Sequence, residues 1–528
     1  MLRKIMTVSI ILAVLAGGLA AAKDKVPNVT VNFGCNMITR SLDPIKLIAW
    51  EEQSLARCIY DTLVVYNPDN PDKPRPGVAA KWDINADASQ YTFYLRKGVK
   101  FHTGRELTAT DVVESMKRGM RANFPTYMPF AYFMDTETAF TVVDKYTVRM
   151  KLKVPYGGLL QILMKPHAGI VDITELNKHI TSDDPQGSNW INDHSLGSGP
   201  FKLKEWSRDE RITLEANEDY WGFAVNDPRT PKYKYFVEVN VPNITTQKLM
   251  LEKGDIDVVT SLTNDMIKEY EAGKNKDIRV ESCLTYLATS FLMNTGKPPF
   301  DDPKVRQAVR YALDYDTLVG KILSAIRMDR PLYKPMIGTD NDILYKQDIA
   351  KAKKLMAESK YSNGADFEYC IGTGVGLGAQ WEDTGAKIKE DLEKIGLKAK
   401  ILQVDWSVMD EKMYGGNFVA MENWYGANYP EAEGMMSMIV RHNSNCLRGM
   451  ADSYDFAPVE KLADAALKTS DSKQRYALYR KISEIFADNG PVAFIGQQTL
   501  KVPFRSNVHG WDKNPDYYIY DWAKLYKD

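Results

Sequence analysis

Twice in this chain a helical run halts on a glycine and a strand follows at once, an order that favours helices packed on a parallel sheet. Residues 245–253 read as helix up to Gly254, and Ile256, Val258 and Val259 follow as strand. Ile388, Leu392 and Ile395 share one helical face before Gly396, and Leu397, Ala399 and Ile401 then alternate as a strand. Helix, glycine stop, strand is the sequence form of half a βαβ unit. The chain has 528 residues, more than one hydrophobic core organises. The expectation is an α/β protein with two α/β lobes facing a cleft.

Other segments fit that frame. Val29, Val31 and Phe33 alternate with polar neighbours as a first strand ending near Gly34, and a helix is expected from about Glu51 to Tyr60. Asn67 to Gly77 is dense in proline and asparagine, a crossing into a second body. There Tyr91, Phe93 and Leu95 point one way and Thr92, Tyr94 and Arg96 the other. Thr108 and Asp111 form a capping box ahead of a helix with Val112, Met116 and Met120 on its buried face. The run from Val148 to Leu152 alternates cleanly as a further strand. Asp302-Pro303 opens another helix, carrying Val305, Ala308, Val309, Ala312 and Leu313 on one face.

At the N-terminus, Arg3 and Lys4 precede an apolar run from Ile5 to Leu19, then Ala20-Ala21-Ala22 and a polar stretch. That order is a secretory signal peptide over residues 1–22. The first cysteine is Cys35, so no lipid anchor is expected, and no later stretch is apolar enough to span a bilayer. A net charge of −1 without a basic block excludes an electrostatic footprint for nucleic acid. Cys35, Cys58, Cys283, Cys370 and Cys446 are odd in number and have no metal-knuckle spacing. Cys35 and Cys283, both in apparent strands of one lobe, are the expected candidate for a disulfide.

Catalytic patterns are missing. There is no HExxH helix, no CxxC and no GxSxG elbow, and the six histidines are scattered. Ser198 between two glycines reads as the turn opening a strand. Gly372, Gly374, Gly376 and Gly378 alternate and miss the dinucleotide spacing, so that segment reads as a loop. No cofactor and no metal site are expected.

Several passages together carry a resemblance. They are Ser41-Leu42-Asp43-Pro44, Ile59-Tyr60-Asp61-Thr62-Leu63, the run from Pro76 to Trp82 and on through Tyr91 to His102, and Gly104 with Leu107 to Val113. Gly197-Ser198-Gly199-Pro200-Phe201, Asn217 to Trp221, Gly254 to Val258, and Asn294 through Val305 to Val309 complete the series. In this order they resemble the periplasmic peptide- and nickel-binding proteins that serve ATP-driven importers, the extracellular solute-binding proteins of family 5.

The resemblance implies a type II periplasmic-binding-protein fold with a third, inserted domain. Its implied division is lobe I at 23–66, 186–282 and 500–528, an inserted domain at 67–185, and a third lobe at 283–499. Ligand is expected between lobes I and III, enclosed by hinge bending. The loops the family uses point to Asn36, Met37 and Arg40, to Trp406, and to Trp424, Tyr425 and Asn428 as ligand-binding candidates. Expected partners are a small-molecule or short-peptide ligand and the membrane permease subunits of an ABC importer, with the receptor a monomer in the periplasm. A secreted hydrolase on a similar scaffold is the competing reading.

Peptide-binding members carry an aspartate that pairs with the peptide's ammonium. Aligned on Tyr429-Pro430, that position is Asn428; aligned on Trp424, it is Ala427. Neither is charged, and a buried ammonium without a carboxylate costs several kcal/mol. Free-amine peptides are therefore not expected as the main ligand unless Glu422, Glu431 or Glu433 supplies the charge. Nickel chelates, haem, glutathione, opines and short sugars are the family's alternatives.

Overall fold

The computed structural model describes residues 25–36, 39–47, 50–68, 70, 73–124, 127–334, 345–373, 378–427, 431–442, 444, 446–469, 471–513 and 520–528. The expected signal peptide, Met37, the glycine-rich residues 374–377 and Asn428 lie outside them. The first strand, β1 (Thr30–Cys35), buries Val31, Phe33 and Cys35 on alternate positions. Asp43 caps the short helix at Pro44 by accepting from the Ile45 N–H. Helix α1 (Trp50–Ile59) follows.

A four-stranded unit comes next: β2 (Ala79–Ile84), β3 (Gln90–Leu95), helix α2 (Ala109–Ala122), β4 (Phe140–Asp144) and β5 (Thr147–Lys151), in sheet order β2-β3-β5-β4. Tyr91, Phe93 and Leu95 face its core. The Asp111 carboxylate accepts from the Thr108 N–H and hydroxyl, each at 2.9 Å, which satisfies the start of α2. Arg118 on α2 reaches out of the unit and holds the buried Asp43 carboxylate at 2.8 and 2.6 Å.

The chain then adds β6 (Phe201–Ser207), β7 (Arg211–Ala216), β8 (Tyr235–Asn240), α3 (Ile244–Lys253) and β9 (Val258–Val259). Gly254 ends α3 at φ 87°, a conformation that only glycine adopts freely. β1 lies between β8 and β9 and runs parallel to both.

Next come β10 (Ile278–Met293), α4 (Pro303–Ala312), β11 (Ala325–Arg327), β12 (Ala365–Thr373), α5 (Gly378–Glu393), β13 (Leu397–Asp405), α6 (Trp406–Gly415) and β14 (Ala420–Gly426). Helices α7 (Ala432–Ile439), α8 (Ala457–Leu467) and α9 (Ser472–Asn489) precede β15 (Val492–Arg505). The main sheet has the order β13-β12-β14-β10-β15-β9-β1-β8-β7-β6, with β11 beside β15.

Three large apolar clusters accompany this layout. One surrounds Phe33, Phe236 and Trp522. The second fills the four-stranded unit. The third packs helices on β10, β12, β13 and β14. Among the described strands, β10 and β15 run from the first cluster into the third. The expected division points 282/283 and 499/500 fall inside these two strands.

The expected Cys35–Cys283 bridge does not form: all five cysteines are thiols. Cys35 ends β1 and Cys283 sits on β10, with β9 and β15 between them. Three strand spacings, about 14 Å, separate those strands, twice the reach of a disulfide.

Candidate ligand-binding site

The pairing of the two crossing strands is interrupted twice: a one-residue offset leaves Ile495 extra between Gly496 and Phe494, and a larger break lies just before it. Leu284 pairs with Thr499 and Ala288 with Gln497, so Thr285, Tyr286 and Leu287 face the single residue Gln498. Such a bulge interrupts the ladder and concentrates bending. Side chains fill the gap: the Thr285 hydroxyl donates to the Gln498 carbonyl at 3.0 Å, and the Gln498 amide donates to Thr289 Oγ1 at 3.1 Å.

Strand direction brings two loops to this break. β14 is antiparallel to β10, with Met293 opposite Ala420 and Leu287 opposite Gly426, so its carboxyl end arrives at the bulge from the third cluster. β1 runs with β9, against β15, and so in the direction of β10. Its carboxyl end approaches from the first cluster. Crevices outside carboxyl ends of strands are where open α/β sheets bind ligands.

On the β1 side, Asn36 is half-buried, and its Oδ1 accepts from the Ser261 hydroxyl at 2.9 Å. Arg40 is exposed, its N–H donating to Glu52 Oε1 at 3.3 Å. Beneath them Thr39 donates to Glu238 through its N–H at 2.7 Å and its hydroxyl at 3.3 Å. Glu238 on β8 and Glu51 and Glu52 in the first turn of α1 place three buried carboxyls close together. Burial, reinforced by mutual repulsion, pushes Glu238 up to about 8 and Glu51 up to about 7. Both therefore titrate near neutral pH. Sequence reasoning missed this group, because Glu238 joins Glu51 only through the β1–β8 pairing.

On the β14 side, Glu422 and Trp424 share one face. Trp424 stacks on Trp381 of α5 with ring centroids 4.8 Å apart, and its indole N–H donates to Glu422 at 3.3 Å. The Tyr369 hydroxyl donates to the same carboxyl at 3.4 Å, and burial pushes Glu422 well above the usual carboxylate range. Tyr425 points to the opposite face, edge-on to Phe494, and its carbonyl accepts from the Tyr333 hydroxyl at 3.1 Å. Trp406 is the first residue of α6.

The other two acids of this loop are engaged. Glu431 caps α7 and accepts from the Glu433 N–H at 2.7 Å, from Arg475 Nε at 3.0 Å and from the Tyr156 hydroxyl at 2.9 Å. Glu433 accepts from Arg441 at 3.2 Å and the Tyr479 hydroxyl at 3.3 Å; burial outweighs the arginine and holds it up at about 7.

Ser198 and His102, which invite a nucleophile reading, are engaged by other partners. The Ser198 hydroxyl is buried and donates to Asp61 at 2.9 Å. A side chain at Gly197 or Gly199 would strike the backbone of residues 58–59, which explains the paired glycines. His102 lies 2.6 Å from the Ser195 hydroxyl, yet its Nε2 faces the Gly199 carbonyl at 3.0 Å, and burial lowers it to about 4. Among the described residues no cluster of His, Cys, Asp or Glu fits a metal ion, and no helix is long and apolar enough to cross a membrane.

Comparison with known proteins bears on the same architecture. Residues 73–445 match the model for bacterial extracellular solute-binding proteins, family 5, middle part. A probable D,D-dipeptide-binding periplasmic protein of Escherichia coli is 25% identical, the alignment covering 95% of each chain. Heme-binding protein A of Haemophilus influenzae is 26% identical over 87% of this chain and 85% of its own. The structure of the ABC transporter-associated periplasmic binding protein DppA from Helicobacter pylori, in complex with the peptide STSA, superposes with a TM-score of 0.77. That match is at 25% identity and covers 95% of this chain and 98% of that one. With a mixed α/β sheet crossed by two strands and a family match over most of its length, this chain belongs to the bacterial extracellular solute-binding proteins of family 5, solute receptors of ATP-binding cassette importers.

Proposed function

We propose that this protein is a periplasmic receptor that closes on a small ligand by bending at the β10–β15 bulge and presents it to the permease subunits of its importer. The observation that carries the reading is the convergence of the carboxyl ends of β1 and β14 on the larger of the two breaks. In this reading residues 23–66, 186–282 and 500–528 form lobe I, 67–185 the inserted domain and 283–499 the third lobe. Asn36 and Arg40, on the loop after β1, lie across the cleft from the carboxyl end of β14, which carries Trp424 and Tyr425; Met37, Trp406 and Asn428 are further candidates named from the sequence. Residues 1–22 are removed on export, the mature chain is a free monomer, and it turns nothing over.

The ligand is peptide-like or another small polar solute, and its main contact at the β14 loop is not a free α-ammonium. Asn428 or Ala427 stands where peptide-binding members carry aspartate. The neighbouring carboxyls are committed elsewhere: Glu431 to Arg475 and Tyr156, Glu433 to Arg441, and Glu422 to the core beneath Trp424. One relative is named for haem and others for peptides, so the family frame admits both.

Native mass spectrometry of the purified protein identifies any molecule it carries. Calorimetry with matched di- and tripeptides, free and N-acetylated, then tests the charge argument. The expected result is weak binding of both forms. Tight binding of free peptides, lost about a hundredfold (about 2.7 kcal/mol) on acetylation, would refute it. Small-angle scattering at saturation should show a smaller radius of gyration.

A further inference from the structure

The four-stranded unit is distant in sequence from the β14 loop, yet one of its side chains ends on it. Tyr156 and Glu431 are 275 residues apart and meet at 2.9 Å. Tyr156 is fully buried and held from three sides within its own unit. It lies flat on Phe133 with centroids 4.2 Å apart, its N–H donates to the Ala88 carbonyl at 3.0 Å, and its carbonyl accepts from the Tyr91 hydroxyl at 2.6 Å. The hydroxyl is therefore delivered by a rigid platform.

Glu431 is the first described residue after 428–430, and it caps α7. Its two oxygens divide the work. Oε1 accepts from Arg475 of α9, inside the third cluster, and Oε2 accepts from the Glu433 N–H and from Tyr156. The carboxylate is fully buried and Arg475 nearly so. The contact is not isolated: Leu467, at the end of α8, belongs to the apolar cluster of the four-stranded unit. The unit thus touches the third cluster at α7–α9.

We propose that Tyr156 is a positioning residue for the ligand loop. Through Glu431 the four-stranded unit holds the start of α7, the helix that follows that loop. The inserted unit takes part in binding without lining the cleft. This inference rests on the hinge-closing reading above. Loss of the Tyr156 hydroxyl leaves Glu431 still bonded to Arg475, so the fold is retained.

Hydrogen exchange by mass spectrometry on the ligand-free full chain tests it. In Tyr156→Phe, which keeps the ring on Phe133, amides of Ala432–Ile439 should exchange about tenfold faster, equivalent to about 1.4 kcal/mol. Strands β3 and β5 should keep wild-type protection. Tyr94→Phe is the control, since it removes a hydroxyl bonded to Asp83 at 2.8 Å on the unit's outer face; it should leave Ala432–Ile439 unchanged. Unchanged exchange there in Tyr156→Phe, or acceleration spread equally over β3 and β5, would overturn the proposal. The readout uses no ligand, so failure to identify one tests the receptor reading and leaves this result standing.

Discussion

The side-chain amide of Gln497 donates to the Thr285 carbonyl at 2.8 Å, tying β15 to the unpaired stretch of β10. The same amide donates to the Lys334 carbonyl at 2.7 Å, and its oxygen accepts from the Lys334 N–H at 2.9 Å. One buried side chain thus satisfies three backbone groups at the break. Gln497→Leu strands all three and should cost about 3 kcal/mol, with unsatisfied buried groups at roughly 1–3 kcal/mol each. Urea unfolding measures this through the midpoint, and a loss below about 0.5 kcal/mol would show that water takes over the role.

The carboxyls under the β1 loop set a pH dependence. Glu238 is raised to about 8 and Glu51 to about 7, each from 4.5. Between about 4.5 and 8 the folded chain binds more protons than the unfolded one. Stability therefore falls as pH rises through that window. Glu238→Gln, neutral at every pH, should lie close to wild type at pH 5.5 and exceed it at pH 8.5 by about 2 kcal/mol, within the linkage of ~1.4 kcal/mol for each tenfold difference in proton affinity between the folded and unfolded chain. Parallel melting curves for the two proteins would contradict this.

Arg229 joins α1 to the returning C-terminal segment. It reaches Asp61 at 2.8 Å and Asp521 at 3.4 Å, and it donates to the Arg57 and Tyr60 carbonyls. Arg229→Met leaves Asp61 buried without its cation and should cost about 3–5 kcal/mol. Asp61→Asn in the same chain should recover part of that loss. A double-mutant cycle reads the coupling, and strict additivity would mean the two groups act independently.

Thiol chemistry should be quiet. Four cysteines are buried, and burial pushes Cys283 and Cys446 up to about 12 and Cys370 up to about 11. Thiolate, the reactive form, is scarce at neutral pH. A reductant should leave mass and melting temperature unchanged. A thiol reagent should find about one accessible group, Cys283, in the native protein and all five after unfolding. A melting temperature lowered by reductant would show that a disulfide had been present.

Local chemistry was the legible part of this sequence. The Thr108–Asp111 cap, the left-handed Gly254, the Asp302-Pro303 helix start and the inward Tyr91-Phe93-Leu95 face are each set by neighbours a few residues apart. Relations set by pairing were not legible. The extra residues Thr285–Leu287 are an offset between two strands whose partner lies about two hundred positions away, so no window in β10 reveals it. The Cys35–Cys283 expectation failed for the same reason: both residues were read as lying in strands, but nothing in either segment shows that β9 and β15 come between them. Side-chain direction was also hidden. Trp424 lies against Trp381 in the core, and only the pairing of β14 with β10 and β12 shows which way it turns.

Trp522 gives the chain an order of assembly. It stacks on Tyr520 and Phe236 and meets Phe33, with ring centroids 4.4, 5.7 and 4.8 Å away, at the middle of the first cluster. During synthesis Phe33 emerges long before Trp522, so β1 waits without a finished core. The third cluster draws its residues from one continuous stretch and can condense earlier, domain by domain. The opening strand is therefore locked only when the segment carrying Trp522 arrives, so the two ends of the chain close the first core together.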